Sequence, residues 1–162
     1  MPEIYSPLLK EWNSLWREQD ELYHAIAAAM GLSNSAFLVL YGLCEFGPGC
    51  RQRDICAAYS MSKQTVHSAL QSLTARGLLR RKKGSGRDAP LFLTPEGTRF
   101  VETSIVPIIH AEDAAFAAMT PQEGAALIRL TRTYIQKLRE QTQKLPISDP
   151  TPTNPRPGGT DL

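Results

Sequence analysis

Apolar residues recur at helical spacing over most of the chain. Between residues 7 and 30, Leu8, Trp12, Leu15, Trp16, Leu22, Tyr23, Ile26 and Met30 fall near a period of 3.6, with Lys10, Glu11, Arg17 and Glu18 between them. The spacing predicts a helix that Gly31 ends. Its apolar stripe is heavy for a lone surface helix, so more than one partner is expected to cover it. A second helix is predicted over 34–46, where Phe37, Leu38, Val39, Leu40, Tyr41 and Leu43 imply deep burial and Gly47-Pro48-Gly49 stops the helix. Residues 51–59 read as a short third helix with Ile55, Cys56 and Tyr59 inward. After a tight break at Ser60-Met61, Ser62 is a good N-cap for a fourth helix, which runs to Arg76 and closes at Gly77.

The pattern then changes. Leu78–Lys82 and Leu91–Thr94 read as strands, and Gly84, Ser85 and Gly86 supply a hairpin turn between them. Thr94, Pro95 and Glu96 combine an N-cap, a proline at the first helical position and an acid at the positive helix end. A long helix is predicted over 97–119, with Pro107 kinking it. Thr120 and Glu123 have capping-box spacing and open a final helix to about Lys144. Residues 146–162 hold five prolines and two adjacent glycines and read as disordered. The expected fold is mainly α with a small β-hairpin wing, and there is no internal repeat.

Charge sharpens this picture. The net charge of the 162 residues is only +2, but residues 51–87 hold nine Lys or Arg against a single acid, Asp54, a local +8. Both flanking segments are mildly acidic. The fourth helix explains what such a segment is for. Val66, Ala69, Leu70 and Leu73 form its buried stripe. Gln64, His67, Ser68 and Gln71 form a second stripe at i, i+3, i+4, i+7. Every side chain on that second face can hydrogen-bond, and no acid occurs from Ser62 to Arg76. A solvated helix face more often alternates Glu and Lys. A face meant for the major groove of DNA wants donors and acceptors without acids, which would meet phosphates.

A short helix, a tight turn and such a helix make helix-turn-helix geometry. Expected contacts to double-stranded DNA are Ser62, Lys63, Gln64, Thr65, His67, Ser68 and Gln71 on the helix. On the hairpin, Arg80, Arg81, Lys82, Lys83 and Arg87 are placed to neutralise phosphates, with Arg87 near a tip that suits a minor groove.

The stretches "RQRDICAAYSMSKQTVHSALQSLTARGLLRR" at 51–81, "LFLTPEGTRFV" at 91–101 and "VPIIHAEDAAFAAMTPQE" at 106–123 resemble the MarR family of winged helix-turn-helix transcriptional regulators. The resemblance implies one domain over residues 1–145, with a winged-helix DNA-binding part at 33–95 and dimerisation helices at 4–31 and 97–144. It implies a homodimer that reads an inverted repeat, most often as a repressor. The family's wing often carries Asp-Arg-Arg at its tip. Arg87 falls at the second Arg, whereas Ser85 and Gly86 stand at the other two positions.

The resemblance also implies response to a small-molecule effector or an oxidant. His24, Tyr41 and His110 lie on helices that would flank the family's ligand pocket and are the effector-binding candidates. Cys50 lies beside Arg51 and Arg53, which would favour a thiolate and make a redox sensor the alternative. A second alternative is a winged helix used for protein contacts. No phosphate loop, nucleophile elbow or carboxylate cluster points to an enzyme. The three Cys and three His show no metal-ligand spacing, and no cofactor is implied. The absence of a spanning apolar run, a signal-peptide pattern or a disulfide framework points to a cytoplasmic protein with no membrane partner.

Overall fold

Five hydroxyl side chains set the starts of five helices. Ser6 Oγ accepts from Leu9 N at 3.2 Å and opens α1, Pro7–Ala29. Ser33 Oγ accepts from Ala36 N at 3.2 Å and opens α2, Asn34–Phe46. Ser62 Oγ accepts from Thr65 N at 3.0 Å and opens α4, Lys63–Ala75. Thr94 Oγ1 accepts from Gly97 N at 2.9 Å and opens α5, Pro95–Phe100. Thr120 Oγ1 accepts from Glu123 N at 3.3 Å and opens α7, Pro121–Thr142. Each bond satisfies a backbone N–H that the first helical turn leaves without a partner. A short helix, α3, covers Gln52–Ala58 and lacks a hydroxyl cap. The computed structural model describes residues 4–81 and 89–146. Lys82, Lys83, Arg87 and the tail beyond Pro146 lie outside the described residues.

By contacts the chain divides into two compact units, Met1–Asp113 and Ala114–Leu162. In the first, α2 and α3 pack on α4, and α1 packs on α2. Val39, Leu40, Ile55, Val66, Leu73 and Ile105 are fully buried, and no polar or charged residue is buried among the described residues. Strands β1, Leu79–Arg81, and β2, Leu91–Leu93, form an antiparallel ladder pairing Leu79 with Leu93, Arg80 with Phe92 and Arg81 with Leu91. The other edge of β2 is also occupied. Gly49 N donates to Leu91 O at 3.1 Å, and Leu91 N donates to Cys50 O at 2.9 Å. The loop after α2 therefore completes the sheet edge, a pairing that the sequence pattern did not predict.

The run after β2 differs from a simple kinked helix. Between α5 and α6, Val106–Ala117, residues Val101–Ile105 are π-helical, and Val106 N bonds back five residues to Val101 O. Pro107 explains the position. A proline has no N–H to give and its ring crowds the carbonyl four residues earlier, here Thr103. Widening the turn just before it relieves that crowding.

In the second unit α7 carries the predicted capping box. Thr120 N donates to Glu123 Oε2 at 2.8 Å, and these bonds hold the Glu123 carboxyl below the usual carboxylate range. Leu127, Ile128, Leu130, Ile135 and Leu138 on this helix are exposed.

Candidate nucleic-acid interface

Helix α4 presents its polar stripe to solvent as its sequence requires. Val66, Ala69, Leu70 and Leu73 are buried, while Ser62, Lys63, Gln64, Thr65, His67, Ser68 and Gln71 are exposed. Two of these candidates also have structural work. Ser62 caps the helix, and its hydroxyl lies 2.7 Å from the Thr65 hydroxyl. Gln64, His67, Ser68 and Gln71 remain as the outward hydrogen-bonding face.

The angle of α4 to α3 is held by residues that sequence reading did not single out. Gln52 Nε2 on α3 donates to Lys63 O at 2.8 Å, across the turn. Ser60 in that turn has a positive φ of 50°, the left-handed region that lets the chain reverse in two residues. Met61 N donates to Cys56 O at 3.2 Å. Asp54, the one acid of the basic segment, accepts from Arg51 N at 2.8 Å and lies 3.6 Å from Arg53 Nε. It is thus neutralised at the start of α3.

The bases do not all share one role. Arg76 Nη1 donates to Gly31 O at 2.9 Å, and its guanidinium lies 5.4 Å from the centre of the Phe100 ring. It joins the end of α4 to the α1–α2 junction. Arg80 and Arg81 are neighbours on β1 and so face opposite sides of the hairpin. Arg80 is exposed, with its guanidinium 5.0 Å from the centre of the ring of its cross-strand partner Phe92. Arg81 is half-buried.

The effector candidates are not brought together. His24 is exposed, with Nδ1 2.8 Å from Asp20 O and Nε2 2.7 Å from Asn34 Nδ2. His110 is exposed on α6. Tyr41 sits instead in an aromatic group with Phe37 and Tyr23, their ring centres 5.8 and 6.2 Å from that of Phe37. The Tyr41 and Tyr23 hydroxyls both donate to Glu112, one to each carboxylate oxygen. Burial and these bonds push Tyr23 up to about 12 and raise Tyr41 still further. Glu112 was missed from sequence. The available signal was its place four residues beyond Ile108 and seven beyond the buried Ile105, on the stripe that those apolar residues mark.

Cys50 corrects an expectation. The neighbouring arginines would favour a thiolate and made a redox sensor the alternative reading. Pairing with Leu91 instead buries Cys50, and its Sγ lies 3.7 Å from Arg51 O. Burial, with a smaller effect of the Asp54 charge, pushes the thiol up to about 11. That chemistry opposes a redox sensor at this position. Cys44 and Cys56 are half-buried, and burial raises both thiols.

The sequence over residues 30–89 matches the model of the MarR family. This segment is similar to the MarR family. It contains α2, α3, the α4 stripe, β1 and the hairpin approach. No curated protein sequence matches the chain. Solved structures show that the MarR winged-helix fold extends beyond this segment. A MarR family regulator from Neisseria meningitidis superimposes with a TM-score of 0.71 at 20% identity, covering 86% of this chain and 99% of that one. BpsR of Bordetella bronchiseptica, whose DNA binding is regulated by 6-hydroxynicotinic acid, gives 0.57 at 25% identity, covering 76% and 98%. MepR of Staphylococcus aureus, solved in complex with DNA, gives 0.64 at 18% identity, covering 78% and 93%. Among the described residues, no helix is by itself long and apolar enough to cross a membrane.

Proposed function

We propose that this protein is a sequence-specific transcriptional regulator that binds double-stranded DNA as a homodimer on an inverted repeat and acts as a repressor. The observation that carries the reading is the exposed, acid-free face of α4, where Gln64, His67, Ser68 and Gln71 offer donors and acceptors to base edges. Lys63, Arg80 and Arg81 supply phosphate contacts beside it, and Lys82, Lys83 and Arg87 extend the basic run in sequence.

Dimerisation is supported in each unit separately. Leu8, Leu15, Trp16 and Leu22 on α1 are exposed, and so are five large apolar residues on α7. Apolar surface of this extent on an isolated chain marks an interaction site. The dimerisation helices are 4–31 and 97–144, and the DNA-binding part is 33–95. A two-fold dimer would present two α4 helices to half-sites about one duplex turn apart. A small-molecule effector would then act by favouring a dimer geometry that does not match the operator. BpsR, with its 6-hydroxynicotinic acid regulation, and MepR, with its DNA complex, support this scheme by analogy of fold.

The test is selection of bound fragments from random and genomic duplex libraries at two salt concentrations. Enrichment of an inverted repeat, with steep salt dependence, is the expected result. Absence of binding even at low salt would sink the reading and favour a protein-contact module.

A further inference from the structure

Helix α4 is held at both ends by side chains that donate to backbone carbonyls. At its first residue, Gln52 Nε2 donates to Lys63 O at 2.8 Å. A carbonyl has two lone pairs, so it can accept this bond beside its helical one. Gln52 belongs to α3, and α3 is itself tied to α2. The Tyr59 hydroxyl, at the end of α3, donates to Glu45 Oε2 at 2.8 Å. The Tyr59 ring lies over Gly42, where a β-carbon would stand 3.0 Å from Tyr59 Cε2. At the other end, Arg76 is the C-cap residue of α4, and its Nη1 donates to Gly31 O at 2.9 Å. That carbonyl has a fixed place. Gly31 N donates to Ala28 O and Leu32 N to Ala27 O, both at 2.9 Å, so α1 closes in a Schellman motif with Gly31 at a φ of 65°. The Phe100 ring, at the end of α5 and 5.4 Å from the guanidinium, steadies it from a third side.

We propose that Gln52 and Arg76 are positioning residues for base readout: they fix the tilt of α4 and so set sequence discrimination, while adding little to the general attraction for DNA. The inference rests on the reading of α4 as a DNA-recognition helix. Burial of Val66, Ala69, Leu70 and Leu73 sets the depth of α4, but apolar burial is non-directional. The hydrogen bonds at its two ends are directional. Helix α4 has 13 residues and is about 20 Å long, so a tilt of about 3° about one end moves the other by about 1 Å. A shift of that size takes Gln64 or Gln71 out of the narrow range of a hydrogen bond to a base edge, about 2.7–3.2 Å. Phosphate contacts carry no sequence information and draw on longer-range charge, so they tolerate the same shift. Arg76 has a competing role as a phosphate contact, because it is an exposed base within the basic segment. The two roles have different consequences. Loss of a phosphate contact weakens operator and random DNA alike, whereas loss of a positioning tie weakens the operator alone.

The test compares the full-length protein with Gln52→Met, Arg76→Gln and Phe100→Leu. Gln52→Met keeps length and charge but removes the donor. Phe100→Leu removes the ring beside Arg76 and leaves every base in place. Each protein is titrated with the selected operator and with random duplex over a range of salt. Each variant is expected to lose about threefold to tenfold on the operator, with affinity for random DNA and the salt slope unchanged. Phe100→Tyr keeps the ring and is expected to match wild type. In the free proteins, residual dipolar couplings of the α4 N–H groups, referenced to those of α2, are expected to report a changed or averaged tilt in Gln52→Met and Arg76→Gln. Equal losses on operator and random DNA in Arg76→Gln, with a salt slope shallower by about one, would make Arg76 a phosphate contact and overturn its assignment. Wild-type couplings in both variants would overturn the proposal outright. If wild type binds no DNA, the regulator reading falls, and the couplings alone decide whether Gln52 and Arg76 set the tilt of α4.

Discussion

A β-carbon at Gly97 would stand 1.9 Å from the carbonyl oxygen of Leu78. The start of α5 therefore lies directly on the backbone that leaves α4. Thr94 fixes this approach from the other side, since its hydroxyl donates to Gly77 O at 2.5 Å and its N–H donates to Leu78 O at 3.1 Å. The contact is backbone on backbone, so no side-chain rotation can relieve an added atom. Gly97→Ala is expected to destabilise the fold by about 3 kcal/mol or more. Urea unfolding of the variant checks this, and a loss under about 1 kcal/mol would mean the α5 start is free to shift.

Gln64→Ala and His67→Ala are each expected to cost about 1–3 kcal/mol on the selected operator and to relax preference at single base positions. Thermal stability should hardly change, because both side chains are exposed. Competition binding with operator variants is the measurement. Equal losses on operator and random DNA would show that these residues contact phosphates only.

Cys50 is expected to react with a thiol reagent at neutral pH only as fast as the domain opens. Its thiol is buried and pushed up to about 11, so little thiolate is present to attack. Cys50→Ser should retain DNA affinity under oxidant and reductant alike. Labelling of folded Cys50 within seconds at pH 7.5 would contradict its pairing with Leu91.

The Tyr23 hydroxyl ionises only near pH 12, against an ordinary value of 10.0. The sign of the linkage follows from the raised value. The contribution of this bond to stability is fully present below about pH 10 and is lost as pH rises through about 12. Ultraviolet difference titration should show tyrosines that ionise late in wild type and earlier in Glu112→Gln. Coincident titration curves for the two proteins would show that Glu112 does not accept these bonds in solution.

Gln52 measures how far the sequence could be read. The α4 face, the Ser62, Thr94 and Thr120 caps and the hairpin strands were legible because each depends on residues within a turn or two of one another. Gln52 was not, although it braces the turn, because its partner is a backbone carbonyl 11 residues on. Cys50 misled for the same reason. Its neighbours in sequence are arginines, but its environment is set by Leu91 across the sheet edge. Glu112 depends on tyrosines 71 and 89 residues away and had only a weak local signal. Arg76 read only as the end of the fourth helix, yet its guanidinium is committed to Gly31 O, 45 residues back. Local chemistry was readable, and partnerships between distant segments were not.

The π-helical turn at Val101–Ile105 acts as a phase shift in the helix that follows it. Five residues at π winding fall roughly a quarter-turn behind five at the 3.6-residue winding of an α-helix. Every side chain of α6 is displaced around the axis by that amount, Glu112 included. An uninterrupted α-helix from Pro95 would aim the carboxylate away from the meeting point of Tyr23 and Tyr41. The reach of one acid to two distant phenols is thus set upstream, by a local excess of backbone, and forcing α winding on residues 101–105 without removing any would turn Glu112 about a quarter-turn away while leaving Tyr23, Tyr41 and Glu112 themselves untouched.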